Sequence, residues 1–472
     1  MSAHSGFILA NATLITMDGG RRVIDDGAVA VIGDSIAAVG KTADVLRQFP
    51  ELQVHDYSRH IISPGLIDTH VHLSQAFFRG VGERNERSDN FHEWLYGLTL
   101  PMEGAMTPED GAASASLCIL EMLKSGTTSF IECMTSENHG FDGIAETCVN
   151  SGIRAALGKV VMDVPAAYRD KVGWPMSAWF DPDRTISDTL AAYKKWNGAA
   201  NGRIQVWFGC RTADETANPD LYRNVAKIAK ERGMRLTIHH SELESDNAYA
   251  RRLGYRSHME FGYDLGIVGP NAVLAHCTAA DEEDIKILAK AGASVSTNAA
   301  NNAVSAWGPT PVVNMLAEGV NVALGCDGTA GDANMDLLRD LRVVCHIART
   351  HAKTRNCLRA ETVLEMATIH GARALGIADQ VGSLEVGKKA DLITIDTDVP
   401  HLTPIWSPVA TMVFAAQGAD VDTVVIDGKI VVRNHEILTM DEEAIVADAR
   451  LRMPEIARRA GVPAARPRWP VL

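Results

Sequence analysis

The stretch Pro64-Gly65-Leu66-Ile67-Asp68-Thr69-His70-Val71-His72 is an apolar run that begins at a Pro-Gly break and ends on two histidines one residue apart. Alternate side chains on a strand share a face, so His70 and His72 project into the same space. Imidazole is a good ligand for zinc, iron or nickel, and two of them on one strand end supply half of a metal site. Seven more short apolar runs follow, at 127–134, 154–163, 204–209, 235–240, 272–276, 293–297 and 320–327. Amphipathic helical stretches lie between most of them, for example 108–125, 219–232 and 280–291. The second of these opens well, with Asn218 as N-cap and Pro219 at the first helical position. Eight strand-helix units predict an α/β fold of the (β/α)8 TIM-barrel type rather than an open doubly wound sheet. No G-x-G-x-x-G follows the first strand, which removes the main sequence support for a dinucleotide-binding fold.

The two ends of the chain read differently. Residues 6–17, 27–32 and 35–40 are short apolar runs broken by glycine and aspartate, the rhythm of antiparallel strands. Similar runs return at 390–396, 411–416 and 424–432, where Asp427-Gly428 marks a hairpin turn. These terminal segments predict one small composite β-sandwich domain built from both chain ends. The expected division is 1–60 and 376–440 for that domain, 61–375 for the barrel, and 441–472 for a C-terminal helix and tail.

Composition limits the function classes. The 472 residues are 46% hydrophobic and 22% charged, without low-complexity runs, as in an ordinary folded protein. There are 59 acidic against 45 basic residues, a formal net charge of −14. Such a field repels nucleic acid and anionic membranes, so the expected partner is a small-molecule substrate. The start lacks the basic and apolar regions of a secretory signal, and no run approaches the roughly 18 apolar residues of a membrane span. Cytoplasmic residence is expected, and a homo-oligomer is the expected form. The eight cysteines include no C-x-x-C pair and read as reduced, buried small hydrophobes.

Three further chemistry-bearing residues fall at the ends of predicted strands: His239 on the fifth, His276 on the sixth and Asp327 on the eighth. Active-site residues of this barrel type gather at the carboxyl ends of the strands. Histidines and an aspartate converging on one rim predict a metal centre. Strand alternation lets only one of the tandem His239-His240 point inward.

The segment PGLIDTHVHL, the H-x-x-E of His239 to Glu242, the triplet Ala275-His276-Cys277, the LGCDG around Asp327 and the tail GSLEVGKKADLITID resemble the amidohydrolase superfamily. They are most similar to its branch of cytosine, guanine, S-adenosylhomocysteine and methylthioadenosine deaminases, with atrazine chlorohydrolase and melamine deaminase. The resemblance covers essentially the whole chain. It implies that His70, His72, His239 and Asp327 hold one divalent metal ion, zinc by preference with ferrous iron as the other choice. Glu242 becomes the proton shuttle, which also makes His239 the inward member of the tandem pair. His276 becomes a catalytic imidazole, and Asp327 serves as both ligand and base. Binuclear relatives carry a lysine on strand four, where this chain has Gly209-Cys210-Arg211, so one metal is expected.

The implied reaction removes ammonia or an amine from the amidine-like carbon of a nitrogen heterocycle, such as a purine, nucleoside, pterin or triazine. Glu103 occupies the position at which nucleoside deaminases of this branch hold ribose hydroxyls. The same relatives carry a histidine where Arg211 stands, and arginine where Lys159 stands. Expected substrate-binding residues are Glu103, Arg211 and Asn298, with Asn301 and Asn302 nearby. Glu103 read blandly caps or pairs on a surface helix, and Arg211 pairs with Asp214 or Glu215. Competing functions are hydrolysis of an amide or urea, hydrolytic dehalogenation, and a non-catalytic structural relative that has lost its ligands.

Overall fold

Short strands rich in β-branched and apolar residues need cover on both faces, and a closed parallel barrel provides it. In the computed structural model, which describes residues 6–81, 94–212 and 218–462, eight parallel strands pair in sequence order. They are Leu66–Val71, Thr127–Thr135, Arg154–Val161, Ile204–Cys210, Leu236–His240, Ala272–His276, Ser294–Thr297 and Asn321–Leu324. The ring closes through a parallel bridge between Val71 and Asp327, with the Asp327 amide donating to the His70 carbonyl at 2.8 Å. Gly325 permits this approach, since a Cβ there would lie 2.9 Å from His70 Cβ.

The covering helices begin at legible caps. Asn218 Oδ1 accepts from the Asp220 amide at 3.0 Å at the start of helix Pro219–Arg232. Thr107 and Asp110 form a reciprocal capping box on helix Pro108–Lys124. The C-terminal helix Glu442–Ala460 packs on that same helix, where Arg452 reaches Asp110 at 2.8 Å. No helix among the described residues is long and apolar enough to cross a membrane. All eight cysteines are free, seven of them buried.

Both chain ends join in a second, nine-stranded mixed sheet. The two ends meet where strand His60–Pro64 pairs antiparallel with Leu392–Asp396. Leu9, Val29 and Ile62 from the first end share an apolar cluster with Leu392 and Val425 from the second. The hairpin turn at Asp427-Gly428 has φ of 52° and 73°, both left-handed, as a tight two-residue turn requires. The expected first boundary at residue 60 falls at the start of a sheet strand, His60–Pro64, so we propose residues 64, 375 and 440 as the domain boundaries. Only Gly65 separates the last sheet strand of the first end from the first barrel strand, and a Cβ there would strike Thr128.

The expected strand at 411–416 is a helix instead. Pro408–Phe414 is helical, with the Ser407 side chain capping the Ala410 amide and Pro408 in the first turn. A short apolar run has no period long enough to separate the two states, and the Ser-Pro start was the deciding signal.

One buried ion pair fastens the barrel to its companion domain. Arg154, at the start of the third strand, makes a two-pronged contact with Asp391 at 2.9 and 3.1 Å, and both side chains are at most 2% exposed. Asp391 also accepts from the Asp427 amide at 2.8 Å. Arg154→Ala leaves that carboxylate buried without its cation, at an expected cost of about 3–5 kcal/mol. Thermal unfolding of the variant should shift down by several degrees; an unchanged midpoint would show that the pair does not hold the domains together.

Candidate active site

The carboxyl ends of strands one, five, six and eight deliver their polar side chains to one place. His72, His239, Glu242, His276 and Asp327 line a single cavity, together with Glu103 and Arg211. His70 lies behind them with no exposure. Strand alternation places His239 inward and His240 outward. His240 stacks on His258 at 4.1 Å between ring centroids, and it fills the space that a Cβ on Gly262 would need.

The donor atoms are crowded. His72 Nε2 is 3.2 Å from His239 Nε2 and 3.3 Å from Asp327 Oδ1, and His70 Nε2 is 3.5 Å from the same oxygen. Four ligands at 2.0–2.2 Å around one tetrahedral ion lie about 3.3 Å apart, which these separations match. Both ring nitrogens of His70 are buried without a hydrogen-bond partner. Burial pushes the His70 imidazole down to about 4, and His239 falls well below its ordinary value for the same reason. Burial alone would raise Asp327, but the surrounding imidazoles outweigh it and hold that carboxyl well below the usual range. Burial also opposes charge on His72, but Asp327 outweighs it and raises that imidazole; a divalent cation beside the three imidazoles and the carboxylate would take the place of that proton.

Other groups fix the orientation of these side chains. Asn301 Nδ2 donates to Asp327 Oδ2 at 2.7 Å, and the Gly328 amide donates to Oδ1 at 2.7 Å. Asn302 Oδ1 is 2.9 Å from His276 Nδ1, so that nitrogen carries the proton and Nε2 faces Glu242 and Asp327 at 3.7 and 3.6 Å. Burial pushes the Glu242 carboxyl up to about 7. Asp327 and His276 have φ of 71° and 70°, a left-handed backbone that non-glycine residues adopt at a cost of about 1–3 kcal/mol and mostly at functional sites.

The predicted substrate contacts divide. Glu103 is buried at the cavity wall, accepting from Ser74 Oγ at 3.0 Å and Gln75 Nε2 at 3.1 Å, so it is no surface cap. Arg211 also lines the cavity, whereas Asp214 and Glu215 lie outside the described residues. Asn298 is fully buried and does not reach the cavity wall; its amide has no partner. The chain turns into helix Ala299–Val304 directly after it, and this helix presents Asn301 to the cavity instead. Sequence reading missed Asn302 as the partner of His276. It also missed Cys133, whose sulfur is 3.7 Å from His239 Nδ1 and which belongs to a cluster with His70, His72 and His239.

A family model for the amidohydrolase family matches residues 61–431. The chain belongs to the amidohydrolase family. An imidazolonepropionase-like composite-domain model from bacteria matches residues 27–51, within the terminal sheet. Among curated relatives in this family, the 5'-deoxyadenosine deaminase of Methanosarcina acetivorans is 34% identical over 461 residues, covering 96% of this chain and 99% of the relative. The 5-methylthioadenosine/S-adenosylhomocysteine deaminase of Syntrophobacter fumaroxidans is 32% identical over 452 residues, covering 95% and 98%. A zinc-bound adenosine deaminase from Xanthomonas campestris superposes with a TM-score of 0.87 at 28% identity, covering 96% and 98%. Atrazine chlorohydrolase from Arthrobacter aurescens, complexed with zinc, shares the fold with a TM-score of 0.87 at 24% identity, covering 95% and 100%.

The two neighbouring histidines give a sharp contrast. His239→Ala should lower bound metal steeply, while His240→Ala should keep it and cost only stability. Metal analysis of the two purified variants checks this, and the opposite pattern would shift the strand register by one residue.

Proposed function

We propose that this amidohydrolase-family enzyme is a mononuclear, metal-dependent deaminase of adenine-type nucleosides. The observation that carries the reading is the convergence of His70, His72, His239 and Asp327 beside a buried Glu242, with His72 3.2 Å from His239 and Asp327 3.3 and 3.5 Å from His72 and His70. Those four residues would hold the ion, and zinc is the proposed one because the 28%-identical neighbour binds it. A bound divalent cation supplies Lewis acidity that brings the pKa of water toward neutrality.

The protein's own groups do the rest. Glu242, with its carboxyl raised to about 7 by burial, can take a proton near neutral pH and deliver it to the ring or to the departing amine. Asp327 is held anionic by its imidazole neighbours and fixed by Asn301 and Gly328, which suits a ligand to the ion that stays deprotonated at neutral pH. His276 is fixed by Asn302 and turns the Nε2 lone pair toward both carboxylates, where it can take up or relay a proton. Glu103, anchored by Ser74 and Gln75, offers acceptor oxygens to sugar hydroxyls.

Support for an adenine nucleoside comes from relatives that deaminate 5'-deoxyadenosine and methylthioadenosine and align with nearly the whole chain. Release of ammonia, amine or chloride should be followed with 5'-deoxyadenosine, methylthioadenosine, aminopterins, aminotriazines, a chlorotriazine and phenylureas. The proposal expects the nucleosides to be turned over fastest, with conversion of the 6-amino group to an oxo group. Preferred turnover of a urea or a chlorinated triazine would replace it. Glu242→Gln keeps the size of the side chain but cannot carry a proton, so metal content should persist while turnover falls about 10²-fold or more. Near-normal turnover would move the proton transfer to Asp327 or His276.

A further inference from the structure

The first barrel strand, which carries His70 and leads into His72, is flanked on one side by the segment with Asp327 and on the other by the second strand with Cys133. Each flank brings a different donor to the same imidazoles. One ligand atom each from His70, His72, Cys133 and His239 lies within 4.8 Å of every other. Cys133 and His70 are both fully buried, and neither ring nitrogen of His70 has a hydrogen-bond partner, so an unsatisfied imidazole points into the same set as the thiol. The flanks also differ in size. Nitrogen and oxygen donors on a zinc-sized tetrahedral ion stand about 3.3 Å apart, close to the 3.3 and 3.5 Å from Asp327 to His72 and His70. On that same ion a sulfur at about 2.3 Å and a nitrogen at about 2.0–2.1 Å would stand about 3.6 Å apart. The 3.7 and 3.8 Å from the Cys133 sulfur to the two ring nitrogens of His239 exceed that spacing and suit a larger ion with longer bonds. Softness points the same way, because a thiolate selects a polarisable cation and a carboxylate a harder one. A thiol also gives up its proton on binding, so only a cation whose bond to sulfur repays that loss leaves Asp327 for Cys133.

We propose that Cys133 joins His70, His72 and His239 in an alternate site for a large thiophilic divalent cation, of which cadmium is the working example. Binding there forms a metal–sulfur bond, sends the thiol proton to the buffer and expels zinc, since the three imidazoles are shared and serve one ion at a time. An ion so held is drawn toward the second strand and away from Asp327 and His276, which leaves the catalytic groups without their cation. The site is thus a built-in point of soft-metal inhibition. This inference rests on the metal-centre reading and is independent of which heterocycle the enzyme takes.

The test titrates the zinc-loaded, full-length protein and its Cys133→Ser variant with cadmium chloride. Released zinc is followed with an indicator, and sulfur ligation by thiolate-to-cadmium charge-transfer absorption. In the wild type one zinc should leave for each cadmium bound, and the charge-transfer band should grow in step with it. Cys133→Ser should keep its zinc content and lack that band. Its cadmium affinity at the centre should fall by about tenfold to a hundredfold, since losing a ligand costs no less than losing an outer partner of one. A band of equal size in the variant, or zinc release at equal cadmium in both proteins, overturns the proposal. A band that grows without zinc release places cadmium on another thiol, such as the partly exposed Cys357, and overturns it too. Should Cys133→Ser fail to fold, X-ray absorption at the cadmium edge of the wild type decides alone: one sulfur among nitrogens, at the point where zinc has left, supports the proposal, and nitrogen and oxygen alone overturn it. If the purified protein takes up no zinc, the metal-centre reading falls, and the same cadmium spectrum still decides whether Cys133 is a ligand.

Discussion

Four imidazoles and one carboxylate held together out of water form the constraint on which the rest of the structure depends. The side chains of His70, His72, His276 and Asp327 are at most 8% exposed, and their donor atoms stand 3.3–3.6 Å from the carboxylate oxygens. The imidazoles of His70, His72 and His239 with the Asp327 carboxylate are the set that a single divalent cation would satisfy, and His276 stands beside it. The barrel makes the arrangement possible at its seam. The same contact that closes the ring, from the Asp327 amide to the His70 carbonyl, also sets Asp327 beside His70 and His72. Closure of the fold and assembly of the centre are therefore one structural event.

Buried carboxylates behind the centre hold its backbone. Asp68 accepts from the His70 and Cys326 amides, each at 3.1 Å, and so ties the first strand to the segment that leads into Asp327. Glu132 accepts from the Leu73 amide at 2.7 Å and the Met134 amide at 3.2 Å, directly after His72 and beside Cys133. Burial raises both carboxyls to about 7. Groups at this remove from an ion commonly orient its ligands and tune their basicity.

The barrel was legible because parallel strands buried on both faces read as apolar runs, and because helix caps such as Asn218-Pro219 declare themselves locally. His70 and His72 were legible because alternate residues of a strand share a face, and His239 because alternation admits one of the tandem pair and the H-x-x-E spacing to Glu242 selects which. Legibility failed where side-chain direction depends on the path the chain takes beyond a strand end. Asn298 ends a strand, but the helix after it carries Asn301 and Asn302 to Asp327 and His276. Glu103 was ambiguous because its partners, Ser74 and Gln75, come from a turn nearly thirty residues earlier. Asp68, Glu132 and Cys133 were silent because nothing in a strand's sequence separates a buried carboxylate or thiol near a ligand from one that merely packs.

The central claim is that one ion is held by three imidazoles and one carboxylate. X-ray absorption at the zinc edge of the purified, zinc-loaded protein tests it most directly. The account predicts a first shell of nitrogen and oxygen alone, with the multiple-scattering pattern of three imidazoles and no neighbouring metal. A sulfur scatterer at about 2.3 Å, which would bring Cys133 into the shell, or a second metal at about 3.5–4 Å, would contradict it.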